Sequence, residues 1–217
     1  VGRHVRTHAG VIGADRILGG QAPYGHMPVA ANRTPCGPLN AEGEIRERIQ
    51  VNGRCESANE HGDTYGPVAY LAYVPAVAAI GWSGRWDALP AAHVTSIALD
   101  LLVVIGLVLV GLRFGGRRLA ATLAAAWAAY PFTAYALLAN TNDALMPAVL
   151  VWGFWLVSSP WARGTALALA GWAKFASLAL APLWLAYPGG FRPRLLARST
   201  VAFAVTTAIA FTVLLLE

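Results

Sequence analysis

The chain has 217 residues, of which 57% are hydrophobic and only 12% charged, with a mean hydropathy of +0.52 and a formal net charge of +5. A domain surrounded by water carries about 25% charged residues, so the composition excludes an ordinary soluble fold and points to a membrane protein, which the apolar segments of residues 67–217 make an all-α polytopic one. The surplus charge is no nucleic-acid signal: residues 1–66 hold seven arginines against seven acids, and residues 67–217 hold nine basic residues against four acids, as cationic loops between membrane helices would.

Residues 1–66 read as an extracytoplasmic loop with short amphipathic helices. The opening "VGRHVRTHAG" reads as a loop, which implies a membrane helix ahead of Val1. "GVIGADRILGG" reads as a short helix ending at Gly19-Gly20, with Asp15 and Arg16 on its polar face. Cys36 and Cys55, the only cysteines, flank "AEGEIRERIQVNG" (41–53), a charged helix candidate ending at Gly53. Lying in the only sizeable water-facing segment, they suggest a disulfide outside the cytoplasm, which would contribute roughly 3 kcal/mol for a loop of this length; two free thiols are the alternative. Asn32-Arg33-Thr34 is a lone glycosylation sequon. "EHGDTYGPVAYLAYVP" then carries Glu60, His61, Asp63 and Tyr65 into Pro67, which starts an apolar helix.

Residues 67–217 read as a transmembrane helical module. Segment 67–82 is short for a span of about 20 residues, contains Pro75, and reads as an interfacial helix with Tyr70 and Tyr73 in the aromatic belt. Crossings are expected near 92–112, 119–138 and 144–157, and a last one over 201–217. Lys174 and Pro182 interrupt 165–187. "RFGGRR" (113–118) has three arginines and no acid, so it belongs on the cytoplasmic side. Residues 1–66 and the polar "NTND" (140–143) then lie outside. "FRPRLLAR" also wants to be inside, which requires 165–187 to enter and return as a re-entrant or broken segment. A single crossing with those arginines outside is the other solution.

Asn140, Thr141, Asn142 and Asp143 form a polar island among apolar residues. Thr141 or Asn142 can cap the helix that follows, and a carboxylate in its first turn suits the helix dipole; Asp143 alone is balanced between cap and functional acid. Lys174, the only lysine, has apolar residues for about ten positions on either side. It either snorkels to an interface or aims a cation at an anionic group such as a lipid phosphate. Asp100, well inside its helix, reads as structural, and His93 as interfacial. No phosphate-binding glycine loop, metal-spaced Cys/His cluster or nucleophile elbow is present in the sequence.

The order "DTYGPVAYLAY", "GLRFGGRRLA", "AYPFTAYALLANTNDALMPAVL" and "ALAGWAKFASLALAPLW" resembles the GT-C superfamily of polytopic glycosyltransferases. Within it the chain is similar to bacterial polyprenol-phosphate-mannose-dependent α-mannosyltransferases, and more distantly to aminoarabinose and protein O-mannosyl transferases. "TNDAL" stands where relatives have a "TPDAL"-like acidic turn, and "WAKFASLALAPL" where they have a lysine followed by "L-P". The resemblance spans nearly the whole chain; each motif is short, and the order and spacing carry it. It implies inverting transfer of a sugar, mannose in the nearest relatives, from a polyprenyl-phosphate donor to an acceptor hydroxyl of a glycan, lipid or protein at the outer face of the bacterial plasma membrane. It implies an outer-loop aspartate as general base. Asp15 is the nearest counterpart and Asp63 the second, although the family's aspartate follows a first membrane helix that would precede Val1. Lys174 would stabilise the departing lipid phosphate, Asp143 would shape the same cavity, and His61, Tyr65, Asn140 and Asn142 would complete the substrate contacts. The resemblance fixes no cofactor, and a divalent cation is left open. A transporter or flippase using Asp100 and Lys174 as a path, or a non-catalytic membrane subunit, are the rival expectations.

Overall fold

The computed structural model describes residues 3–24, 48, 49, 55, 56, 65–82, 89–138 and 141–216. Asn32, Cys36, His61, Asp63 and Asn140, and with Cys36 the expected disulfide to Cys55, lie outside the described residues. What is described is all-helical apart from one pair of two-residue strands. These are β1 (Arg48–Ile49) and β2 (Cys55–Glu56), antiparallel, with Arg48 opposite Glu56 and Ile49 opposite Cys55. At Arg48 and Ile49 they correct the helix expected over 41–53, whose other residues lie outside the described ones. The two strands are paired across the chain, and this pairing outweighs the charged helical pattern at Arg48 and Ile49.

Helix α1 (Arg3–Leu18) begins within the stretch expected to be a loop. Its Gly10 and Gly13 explain the difference. Cβ atoms there would lie 2.6 Å from the Tyr73 ring and 2.2 Å from the Tyr70 ring, so both tyrosines dock where glycine leaves room. Tyr70 and Tyr73 are each only 1% exposed, which corrects their reading as an interfacial belt. The expected helix 67–82 is two helices, α2 (Pro67–Leu71) and α3 (Val74–Ile80). Pro75 has no backbone N–H to continue a helix, so it opens α3 instead. Val11, Ala14, Tyr73 and Val77 pack with Leu89 and Ala92, seating these three helices against the start of α4.

Helix α4 (Pro90–Ala129) is bent back on itself at Gly116, whose φ of 73° and ψ of −167° are essentially glycine-only backbone. The two arms, 90–115 and 117–129, run antiparallel. A Cβ on Gly111 would lie 2.3 Å from the Ala120 Cα, and Trp127 Nε1 donates to Asp100 Oδ1 at 2.8 Å. The second arm does not continue straight through 119–138. The chain is extended at Tyr130, as residues before proline prefer, and α5 (Pro131–Leu138) starts anew.

Helix α6 (Leu145–Trp155) lies parallel to the first arm. Ser96 Oγ donates to the Thr141 carbonyl, Trp152 Nε1 to the Leu102 carbonyl at 3.0 Å, and Arg113 to the Trp155 carbonyl and Ser158 Oγ. Helix α7 (Pro160–Ala173) returns, capped by Ser159 Oγ accepting from Ala162 N. At Lys174 the chain reverses through a 3₁₀ turn (Phe175–Leu180) and α8 (Ala181–Leu185). It comes back to the start of α7, where buried Arg163 donates to the Trp184 carbonyl at 2.9 Å and to the Tyr187 carbonyl. Helix α9 (Pro193–Phe211) starts earlier than the expected 201 and runs parallel to α7. Ser199 Oγ reaches the Pro160 carbonyl, and Trp172 Nε1 reaches Thr207 Oγ1, both at 2.8 Å.

The bundle therefore has two unlike ends. Arg113, Arg117, Arg118, Arg163, Arg192, Arg194 and Arg198 gather at one. Asp143, Lys174 and the α1–α3 assembly share the other. Pro90–Ala129 and Pro193–Leu215 are each long and apolar enough to cross a membrane. Large apolar side chains stay exposed in stripes, Ile97, Leu101 and Ile105 on α4 and Val201, Val205 and Ile209 on α9.

Candidate functional site

Two helix ends meet at the lysine end. Thr141 is in the N-cap position of a 3₁₀ turn (Asn142–Ala144) that leads into α6, but its hydroxyl makes no capping bond. It donates instead to Asp143 Oδ2 at 2.7 Å. Asp143 thus sits in the first turn of a helical segment, where a carboxylate is favoured. Lys174 sits just past α7 in an extended conformation (φ −151°, ψ 119°), where a cation complements the helix C-terminus. Its own N–H bonds the Ala170 carbonyl at 2.8 Å, and its carbonyl accepts from Ser177 Oγ at 3.0 Å, so the backbone turn is fixed from both sides.

Local rules place each charge, and the tertiary fold joins them. Lys174 Nζ donates to Asp143 Oδ1 across 31 residues of sequence. Both side chains keep about a quarter of their surface exposed, 26% for Lys174 and 25% for Asp143. Water or a ligand therefore reaches the pair. With one oxygen held by Lys174 and the other by Thr141, Asp143 is an anchored carboxylate rather than one poised to take a proton.

The pair borders a cavity of about 340 Å³. Asp143, Lys174, Asp100, Trp127, Tyr130 and Thr133 line it, with Met146 and Pro147 on the α6 side. The outer wall comes from the second arm of α4 and from α5, and the break at Tyr130-Pro131 turns Tyr130 and Thr133 onto it. Lys174 also lines a smaller cavity of about 240 Å³ with Tyr65, Gly66 and Phe175. Tyr65 is fixed there because its carbonyl accepts from Tyr24 Oη at 2.8 Å. The lysine thus stands between two spaces.

The sequence candidates separate under this geometry. Asp143, Lys174 and Tyr65 come together. Asn142 is buried, 6% exposed, and does not line the cavity. Asp15 is exposed on α1 and lines neither space. Sequence reasoning assigned Asp100 to packing and passed over Trp127 and Thr133. The signal was present in the register about Gly115-Gly116, because a hairpin folded there brings position 100 beside 127. Among the described residues no group of three His, Cys, Asp or Glu gathers to hold a metal ion.

On the other face of α6, Leu145, Ala148 and Val149 join Leu102, Trp152 and Trp161 in an open apolar groove of about 750 Å³. Comparison of the chain with protein-family models, with curated proteins and with solved structures finds no match.

Proposed function

We propose that this protein is a membrane glycosyltransferase that moves a sugar, mannose by its sequence resemblance, from a polyprenyl-phosphate donor to an acceptor hydroxyl at the extracytoplasmic face, with inversion. The observation that carries the reading is the Lys174–Asp143 pair, part-exposed, at the end opposite the arginines, and bordering two cavities. With the arginine end cytoplasmic, the pair lies at the outer mouth of the membrane, where a lipid phosphate would arrive. The exposed stripes on α4 and α9 are then lipid-facing, since apolar patches of that extent are costly in water. The return of 175–187 to the arginine end lets every described loop arginine stay on one side without a further crossing.

In this mechanism Lys174 receives the donor phosphate and stabilises the negative charge that grows on it as the glycosidic bond breaks, an electrostatic role that is strong in a water-poor site. Asp143 holds the ammonium group in position and keeps it compensated when no donor is bound. A general base must take the acceptor's proton. Asp143 is engaged at both oxygens and is not that base; Asp15 and Asp63 are the aspartates proposed for it from the outer segment.

The test is a transfer assay with membranes carrying the chain, labelled polyprenyl-phosphate-mannose and a membrane-derived acceptor fraction. Label appearing in the acceptor, lost in Lys174→Ala, supports the reading. No transfer by the wild type sinks it. A second reading is a flippase or transporter, because Asp100 and Lys174 line one cavity. In proteoliposomes it would move labelled lipid between leaflets without breaking the sugar–phosphate bond.

A further inference from the structure

The Lys174–Asp143 pair explains one side of the 340 Å³ cavity and leaves the other unassigned. There the Asp100 carboxylate lies within a helix that otherwise carries apolar side chains on either side of it. One oxygen is held by Trp127 Nε1 at 2.8 Å, and the carboxylate has no other partner among the described residues. Thr133 lines the same cavity. It is 6% exposed, and its hydroxyl has no hydrogen-bond partner. A buried hydroxyl left without a partner costs about 1–3 kcal/mol, so its place beside an open space suggests that a ligand satisfies it. Trp127 and Tyr130 line the same cavity, and aromatic rings offer apolar surface that suits the C–H side of a sugar ring. A part-satisfied carboxylate, an unpaired hydroxyl and aromatic walls are the elements of a pocket that reads a neutral polyhydroxylated ligand. A packing role for Asp100 would leave the unpaired Thr133 hydroxyl on the same cavity unexplained.

We propose that Asp100 and Thr133 form the sugar-reading subsite of this cavity. Asp100 accepts hydrogen bonds from ring hydroxyls of the transferred sugar, and Thr133 completes the set while the ring rests on Trp127 and Tyr130. The assignment rests on the glycosyl-transfer reading for the identity of its ligand. Lys174 holds the phosphate at one side of the cavity, and the sugar fills the other. Asp100 is then a specificity residue, because a site built to bond a hydroxyl strongly rejects an analogue that lacks it.

The experiment measures binding, so it does not depend on turnover. The full chain in lipid nanodiscs is titrated with octyl α-mannoside and each of its monodeoxy analogues. Wild type is expected to bind at least one deoxy analogue about tenfold or more weakly than the parent. Asp100→Asn keeps an oxygen for Trp127 and presents an amide to the cavity. It should bind the parent about tenfold more weakly and that deoxy analogue as wild type does, erasing the discrimination. Thr133→Val, close in shape, should lose less, on one hydroxyl only. Equal binding of all analogues by wild type, a uniform loss in Asp100→Asn, or no binding of the parent overturns the assignment. The transferase reading is judged separately. Label transfer without deoxy discrimination removes Asp100 from the site and leaves the enzyme. Deoxy discrimination without label transfer leaves a sugar-reading cavity and removes the enzyme.

Discussion

The two ends of the bundle handle positive charge in opposite ways. At the arginine end seven guanidinium groups gather, and none of the described acids lies among them. Those with described partners bond backbone carbonyls, Arg113 to Trp155 and Arg163 to Trp184 and Tyr187. These contacts tie off helix ends where carbonyls lack intrahelical partners. At the other end the only lysine bonds a carboxylate and lines two cavities. Guanidinium forks stitch backbone at one end, while a compact ammonium held by Asp143 borders open space at the other. The difference teaches that charge in an apolar bundle is no single signal. What a cation touches separates architecture from chemistry.

The strongest way to break this comparison is to remove the lysine-end pair. Lys174→Ala and Asp143→Ala are each expected to lower kcat/KM for label transfer by about 10²–10³, the range for losing one electrostatic stabiliser, with the protein still inserted and extractable. Lys174→Arg should restore little, because a planar fork cannot occupy the turn as a point charge does. Wild-type rates in Lys174→Ala would show that the lysine end is as architectural as the other.

Two glycines sharpen the contrast because the local obstruction is the same at both ends. A Cβ at Gly66 would lie 2.0 Å from the Trp172 carbonyl oxygen, and one at Gly164 would lie 2.0 Å from the Ser199 carbonyl oxygen. Each glycine→alanine change forces backbone apart and should cost about 1–3 kcal/mol, read as a lowered thermal midpoint. Their effects on activity should differ. Trp172 is two residues before Lys174, so Gly66→Ala shifts the lysine and lowers the specific activity of folded protein, whereas Gly164→Ala leaves it near wild type. Equal losses would mean that the two ends are mechanically coupled.

Much of this was legible in the sequence where a signal was local. Three arginines about a Gly-Gly pair marked the hairpin tip, and Lys174 with Pro182 marked the interrupted segment. The isolated charges Asp143 and Lys174 stood out because hydrocarbon-like surroundings make any charge conspicuous. What escaped was set by distant partners. Gly10 and Gly13 give no periodic signal, yet they bury Tyr70 and Tyr73, which an apolar-helix pattern assigns to an interface. Asp100 could be read as packing until the fold set Trp127 and Thr133 beside its cavity. At Arg48 and Ile49, pairing with Glu56 and Cys55 overrode a helical charge pattern, because cross-strand pairing competes with weak local propensity.

A smaller effect is expected at Arg163, 1% exposed and bonded to two carbonyls. Arg163→Met keeps the apolar stem and removes the donors. Each charge-assisted hydrogen bond of this kind contributes about 1.5–3 kcal/mol, largely offset because burying a guanidinium is itself costly. The expected outcome is a thermal midpoint lowered by a few degrees, with unchanged KM and kcat for the folded fraction. A change in KM would place the arginine end within the substrate path.

The least effect is expected from the hairpin tip, although it is the most conspicuous charge cluster in the sequence. Arg117 and Arg118 are exposed, next to Gly116, whose own Cβ position is open space. If their role is orientation, changing both to glutamine takes two of seven arginines from that end and leaves five. The lysine–arginine bias of the loops sets orientation, and it still has one sign, so the topology should hold. A cysteine introduced at Gly189 should stay closed to a membrane-impermeant maleimide added from outside, in wild type and in the double variant. Because acids contribute little to the bias, replacement by glutamate should behave like replacement by glutamine. Inversion by the glutamine pair alone would mean that Arg117 and Arg118 outweigh Arg113, Arg163, Arg192, Arg194 and Arg198 together, and that the arginine end acts through two residues of one loop rather than as a whole.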